Sequence, residues 1–179
     1  MKYRYVILSF LFVLALSPLH AQIGGQKSFF GLGLFGDMQL STNKDLVKVK
    51  QGAKALGLSL MVEGQIDYIW SYRIGADVYG LLKGKGYDRK AKGYAAMKIN
   101  IFNAIKGEPQ NDNVYALLGA GATYSVAGND NVGFAVQGGV GYSYWLTKQY
   151  GLFAEMMFTM FDKPSVISGT LVIGGLISF

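Results

Sequence analysis

The chain has 179 residues, of which 51% are hydrophobic and 14% aromatic, with 25 glycines and no cysteine. This composition is too apolar for a disordered chain, and the lack of cysteine excludes disulfides, thiolate metal sites and a lipid-bearing cysteine. The formal net charge is +6. The positive charge is concentrated in two lysine-rich segments, so it gives little support to nucleic-acid binding.

The first 21 residues predict a secretory signal peptide. Lys2 and Arg4 precede an apolar run over 6–16, Pro18 interrupts the chain after it, and Ala21 is a small residue at the expected cleavage site. The alternative is a membrane anchor, but a spanning helix needs about 20 apolar residues and this run is shorter. We therefore expect export and a mature chain that begins at residue 22.

Loss of the signal peptide also removes His20, the only histidine of the chain. Without an imidazole, the mature chain has no group that could serve a Ser–His–acid mechanism or a histidine metal site. It also has no phosphate loop with a GK[ST] ending. We expect no enzyme activity, no catalytic residues, no cofactor and no metal.

The mature chain alternates between apolar and small or polar residues. Leu56, Leu58 and Leu60 share one parity, whereas Gly57 and Ser59 share the other. A strand places such sets on opposite faces. The same period marks eight segments, which lie near 30–40, 56–70, 72–82, 95–101, 116–124, 134–146, 152–160 and 171–179.

Eight is an even number of strands, as expected for an antiparallel barrel that closes between its first and last strands. No linker or break in composition divides the segments, so we predict one domain over 22–179. The predicted fold class is all-β, an eight-stranded antiparallel up-and-down transmembrane β-barrel. Turn-type residues connect the strands, among them the segments 41–52, 83–92, 106–113, 127–131 and 162–165.

Alternation alone does not separate a membrane barrel from a soluble one such as a lipocalin, which buries its apolar face. The membrane arrangement is favoured because the polar faces are rich in glycine, serine and alanine, which suits a narrow lumen. The apolar faces also carry almost no charge. Aromatic residues gather at the predicted strand ends, as in interface girdles, and they include Phe29, Phe30, Tyr68, Trp70, Tyr72, Tyr115, Tyr144, Trp145, Tyr150 and Phe179.

Together with the signal peptide, the eight strands and the last strand over 169–179 resemble the small outer-membrane β-barrels of Gram-negative bacteria. The similarity is to OmpA/OmpX-like proteins of the "porin family". It implies a location in the outer membrane, periplasmic termini, contact with outer-membrane lipid and insertion by the barrel assembly machinery, with Phe179 as part of the assembly signal. We expect a monomer.

Charged residues on the lumen-facing parity are the first candidate site. Because an unpaired charge in a narrow lumen is costly, Glu63 and Glu155 are expected to lie near Arg73 and Lys98. One interpretation is a salt-bridged plug, and the alternative is a narrow porin or conduit for small solutes or hydrophobic ligands. The predicted lumen charge network comprises Glu63, Arg73, Asp77, Lys98 and Glu155.

Basic residues in two predicted outer loops are the second candidate site. They could contact lipopolysaccharide phosphates, or they could serve only solubility and interfacial snorkelling. Together with the expected plug, this patch favours a structural or surface-interaction role over transport. An enzyme acting on outer-leaflet lipid is a third possibility, which the missing histidine disfavours. The predicted basic patch comprises Lys44, Lys48, Lys50, Lys85, Arg89 and Lys90, with Lys92 as a flanking residue.

Overall fold

A computed structural model describes residues 27–42, 54–83, 89–125, 132–162 and 165–179. These residues form eight long strands and one short helix, α1 (Ile101–Lys106). The strands are β1 (Ser28–Thr42), β2 (Lys54–Gln65), β3 (Trp70–Lys83), β4 (Arg89–Asn100), β5 (Asp112–Ser125), β6 (Val132–Trp145), β7 (Tyr150–Asp162) and β8 (Ser165–Ser178). The predicted signal peptide lies outside the described residues.

The strands form one closed antiparallel barrel in which each strand pairs with the next along the chain. The barrel closes between β1 and β8, where Phe30 lies opposite Ile177 and Leu34 opposite Ile173. This topology confirms the predicted all-β, eight-stranded up-and-down barrel. Every strand has 12 to 15 residues, which is long enough for a tilted strand to cross the apolar layer of a membrane.

The barrel has its apolar face outside and most of its polar side chains inside. Leu34 is 61% exposed and Leu118 is 68% exposed, whereas Arg73 and Asp77 are buried. Between the strand ends, the outward positions whose side chains are described are apolar, aromatic or glycine. This is the arrangement of a transmembrane barrel rather than of a soluble one. Among the described residues, no helix is both long and apolar enough to span a membrane.

Tight turns join strands β2 and β3 and strands β6 and β7 at one end of the barrel. The first strand begins and the last strand ends at this same end, which we call the terminal end. In the β2–β3 turn, the Asp67 carboxylate accepts hydrogen bonds from the backbone N–H groups of Ile69 and Trp70. In the β6–β7 turn, the Thr147 hydroxyl oxygen accepts the corresponding bonds from Gln149 and Tyr150. The opposite end, called the loop end, leads into segments outside the described residues.

Helix α1 corrects the sequence prediction, which extended the fourth strand to Ile101 and placed a turn over 106–113. Strand β4 instead ends at Asn100. The helix ends at Lys106 and is capped by Gly107, whose φ of +72° favours glycine and whose N–H donates to the Asn103 carbonyl. The Asn103 side chain donates to the Tyr68 carbonyl at 2.6 Å. This bond holds the helix across the terminal end of the barrel.

Large apolar side chains fill much of the lumen, although the sequence predicted mainly small residues there. Phe35 and Tyr79 contact each other edge to face, with ring centroids 4.8 Å apart. They belong to a buried cluster that also contains Ala55, Met61, Tyr115, Leu117, Phe153, Met157, Val172 and Leu176. The interior is therefore a packed core in which charged and apolar groups lie side by side.

Candidate functional site

Arg73 links opposite walls of the lumen. Its Nη2 lies 3.0 Å from Glu63 Oε2 on the adjacent strand β2, and its Nη1 lies 2.5 Å from Glu155 Oε1 on β7. Strands β3 and β7 are four places apart in either direction around the barrel. The guanidinium and its two carboxylates therefore cross the full width of the lumen.

Lys98 and Tyr115 complete this group, which we call the lumen cluster (Glu63, Arg73, Lys98, Tyr115 and Glu155). Lys98 Nζ donates to Glu63 Oε1 at 2.7 Å and lies 4.1 Å from the centre of the Tyr115 ring. The Tyr115 hydroxyl donates to Glu155 Oε1 at 2.6 Å. Two cations thus face two carboxylates, and every member of the cluster is buried.

A glycine on β6 lets Tyr115 reach Glu155. Tyr115 lies opposite Gly141, and Gly141 lies opposite Glu155 on the next strand. A Cβ on Gly141 would lie 2.5 Å from Tyr115 Cζ, so the ring occupies the space that a side chain would fill. The Tyr115 ring lies over Gly141 on β6, and its hydroxyl reaches the Glu155 carboxylate on β7.

Asp77 does not join the lumen cluster, so the predicted charge network consists of two separate groups. Asp77 Oδ2 pairs with Lys92 Nζ at 2.8 Å, and Asp77 Oδ1 accepts a hydrogen bond from the Ser59 hydroxyl at 2.7 Å. Lys92 Nζ also donates to Gln137 Oε1 at 2.8 Å. The sequence placed Lys92 beside an outer loop, and this was wrong, because β4 begins at Arg89 and turns Lys92 into the lumen.

Four polar residues follow one another across strands β6, β7, β8 and β1. Gln137 lies opposite Thr159, Thr159 opposite Ser168, and Ser168 opposite Gln39. Within the described residues, Gln137 Nε2, Thr159 Oγ1 and Gln39 Oε1 have no hydrogen-bond partner although all three are buried. Nearby, the Thr170 hydroxyl donates to Asp37 Oδ1 at 2.5 Å.

A cavity of about 410 Å³ opens at the terminal end and reaches the lumen cluster at Glu63 and Lys98. We call it the vestibule. Phe29 and Trp145, whose ring centroids lie 5.0 Å apart, form the aromatic part of its lining. The described residues contain no group of three histidine, cysteine, aspartate or glutamate side chains that could hold a metal ion.

The predicted surface sites are described only in part. Lys44, Lys48, Lys50 and Lys85 lie outside the described residues, and Arg89 and Lys90 begin β4 at the loop end. Phe179 follows β8 at the terminal end, where its N–H donates to the Ser28 carbonyl at 3.1 Å and its side chain is 54% exposed.

The sequence analysis missed Lys92 and Tyr115 as lumen residues. Lys92 has the same parity as Lys98, so extending the predicted strand 95–101 by three residues toward the N-terminus would have placed it inside. Tyr115 was assigned to the interface girdle, and this was wrong because the residue is fully buried. Its parity, opposite to that of Ala116 and Leu118, was the available signal.

Comparisons with known proteins agree with the fold. No family model matches the chain, and no curated protein matches it. Among solved structures, the chain is similar to neisserial surface protein A, with a TM-score of 0.62, 14% identity and coverage of 87% of this chain and 98% of that one.

A second similar structure is Ail, the attachment invasion locus protein of Yersinia pestis, solved in complex with the heparin analogue sucrose octasulfate. The TM-score is 0.54 at 15% identity, with coverage of 86% and 99% of the two chains. Another crystal structure of Ail gives a TM-score of 0.52 at 13% identity, with coverage of 86% of this chain and 98% of that one. The chain thus has the fold of the small, OmpA/OmpX-like outer-membrane barrels.

Proposed function

We propose that the protein is an integral outer-membrane barrel with a lumen closed by its own side chains and a structural or surface-interaction role. The observation that carries the proposal is the bridge from Glu63 through Arg73 to Glu155, which joins opposite walls of the barrel. The signal peptide would export the chain, and the fold it shares with outer-membrane proteins supports this location.

Closure of the lumen follows from the energy of the buried charges. Removing a guanidinium or carboxylate from water costs several kcal/mol, which the partner charges and hydrogen bonds offset only when the geometry stays intact. A solute that passed through would have to separate Arg73 from Glu155. Buried apolar side chains, among them Phe153 and Met157, fill further space inside the barrel.

The alternative is a narrow conduit, and the vestibule supports it, because this cavity brings solvent to Glu63 and Lys98 from the terminal end. Release of small solutes from proteoliposomes separates the two functions. A closed barrel retains glycine and glucose for as long as protein-free vesicles do. Fast release that speeds up in Arg73→Ser would establish the conduit and overturn the plug.

The surface role rests on the basic patch that the sequence predicts. Lys44, Lys48 and Lys50 lie close together in sequence and would offer charge-assisted contacts to phosphates of lipopolysaccharide or to another polyanion. Arg89 and Lys90 begin β4 at the loop end of the barrel. That Ail, with the same fold, was solved with a sulfated heparin analogue supports a polyanion as the ligand.

Binding of lipopolysaccharide to the refolded protein in zwitterionic nanodiscs tests this role. Lys44→Gln/Lys48→Gln/Lys50→Gln should weaken binding at least about tenfold, and added salt should weaken binding to the unchanged protein. Lys48→Gln removes one lysine of the predicted patch, whereas Lys106→Gln removes one lysine of α1 at the terminal end. Only Lys48→Gln should weaken binding of lipopolysaccharide. Equal effects of these two variants would show that binding follows net charge and not the patch.

Assembly is proposed to depend on Phe179, the aromatic residue after the last strand. Its exposed ring and the alternating residues of β8 form the type of C-terminal segment that the barrel assembly machinery would recognise. Phe179→Ala should lower the amount of protein in the outer membrane while refolding in detergent stays unchanged. Normal membrane levels of this variant would assign Phe179 to interface anchoring alone.

A further inference from the structure

We propose that the vestibule at the terminal end binds a small anionic solute of sugar size, a carboxylated monosaccharide being the chemical class that fits best. This site is separate from the basic patch, and its inner end reaches the lumen cluster at Glu63 and Lys98. Its volume of about 410 Å³ lies in the range of small-molecule sites. With the periplasmic termini that the resemblance implies, the vestibule opens to the periplasm.

The charge of the vestibule favours an anion. Lys27 and Lys148 lie on its lining, and neither has an ion-pair partner among the described residues. Glu63 is the only acidic residue that lines the described cavity, and both of its oxygens are already bound, by Lys98 and Arg73. Lys27 and Lys148, called the rim lysines below, therefore present to a ligand positive charge that no ion pair among the described residues offsets.

The polar wall is built and held in place. Asn103 donates to the Tyr68 carbonyl at 2.6 Å and accepts from the Gln110 N–H at 3.0 Å, while Asn113 accepts from the Phe102 N–H at 3.0 Å. These bonds fix α1 and the chain that follows it against the barrel. A ligand would therefore meet a wall that needs no reordering, which reduces the entropic cost of binding.

The same wall has hydrogen-bonding groups left over. Ser143 lines the cavity and is only 3% exposed, so its hydroxyl is part of the polar wall. The side-chain amides of Gln65 and Asn111 also line it without a partner in the described part of the chain. A ligand with several hydroxyl or amide groups could use them.

An aromatic surface lies beside these polar groups. Trp145 lines the vestibule and stacks obliquely on Phe29, with an angle of 43° between the rings. A sugar ring has an apolar face of C–H groups and polar edges, so it matches a site with an indole on one side and amides on the other. A carboxylate on that ring would reach the rim lysines.

Titration with N-acetylmuramate tests the proposal, since N-acetylglucosamine has the same ring without the carboxylate. The probe is Trp145 fluorescence in a Trp70→Phe background, because Trp70 is the only other tryptophan and lies on the outward face. N-acetylmuramate should bind with a Kd in the millimolar range or below, and N-acetylglucosamine at least about tenfold more weakly. Acetate should bind more weakly still, because it lacks the ring.

Matched variants test whether Lys27 and Lys148 supply the positive charge that binds the carboxylate. Lys27→Gln/Lys148→Gln should reduce the affinity for N-acetylmuramate about tenfold or more, and Lys54→Gln, at the loop end, should leave it unchanged. Heat-modifiable gel mobility shows that each variant is folded. Equal binding of the two sugars, an equal loss in Lys54→Gln, or no response to N-acetylmuramate would overturn the proposal. None of these outcomes would affect the proposed closed lumen.

Discussion

Arg73 and Glu155 are 82 residues apart in the chain and form an ion pair at 2.5 Å across the barrel. The strand order places β3 and β7 on opposite walls, so this pair spans the lumen. Both side chains are buried, and each has a second partner, Glu63 for the arginine and Tyr115 for the glutamate. The lumen cluster is therefore part of the core, and it is the element that we propose closes the lumen.

Removing Arg73 should be costly. Arg73→Met leaves the Glu63 and Glu155 carboxylates buried without their shared cation, and we expect the free energy of unfolding to fall by about 3–5 kcal/mol. The measurement is urea unfolding of the barrel in lipid vesicles, followed by tryptophan fluorescence. A loss below about 0.5 kcal/mol, typical of a surface position, would contradict the burial of the pair.

A double-mutant cycle isolates the pair itself. Once Arg73 is gone, Glu155→Gln removes a buried unpaired charge, so the double variant should lose at least about 1 kcal/mol less than the sum of the single variants. Arg73→Met combined with Asp77→Asn serves as the control, because Asp77 belongs to the other charged group. That control pair should be additive within about 0.5 kcal/mol.

Gly141 should tolerate no side chain, because the Tyr115 ring lies over it. Gly141→Ala should displace the ring, weaken its bond to Glu155 and cost about 1–3 kcal/mol of stability. Gly93→Ala is the matched control, since a Cβ there would meet nothing within 4 Å. Equal unfolding midpoints for the two variants would show that Tyr115 does not depend on this space.

Tyr115→Phe tests the hydroxyl separately from the ring. The variant removes one hydrogen bond to a charged group, and we expect a loss of about 1.5–3 kcal/mol in the free energy of unfolding. Tyr142→Phe, on the outward face of β6, removes the same atom where the ring is 43% exposed, and it should change stability little. The prediction is wrong if both variants unfold alike.

Two buried threonines should respond in opposite ways to the same substitution. Thr170 donates to Asp37, so Thr170→Val should destabilise the barrel by about 1.5–3 kcal/mol. Thr159 has no hydrogen-bond partner among the described residues, so Thr159→Val removes an unsatisfied group and should be neutral or stabilising by about 1 kcal/mol. Comparable destabilisation by both would indicate a bound water at Thr159.

Much of the fold could be predicted from the sequence because a period of two has a direct geometric meaning in a strand. The parity of Glu63 and Arg73 placed both in the lumen, and the cost of burying charge predicted that they would pair. Helix α1 could not be predicted in this way, because six residues contain too little periodicity and Ile101 continues the alternation of β4.

The ion-pair partners within the lumen were harder to predict, because they depend on how the strands are aligned with one another and not on the order of residues along one strand. Asp77 is only four residues from Arg73 with the same parity, yet its partner is Lys92, which lies directly opposite it on β4. Parity identifies the face of the strand on which a side chain lies, but it does not identify which residue of the next strand lies opposite. Register is set by the turns and by packing of the outward face.

Ion conductance of the refolded mature protein in a planar bilayer tests the closed lumen most directly. We predict no stable conductance steps for the unchanged protein and new steps for Arg73→Ser/Tyr115→Ala/Glu155→Ala, which removes the bridge across the barrel. Heat-modifiable gel mobility shows that both are folded. Stable steps in the unchanged protein, with an ion selectivity that changes in Glu63→Gln or Lys98→Met, would contradict the account and establish a pore.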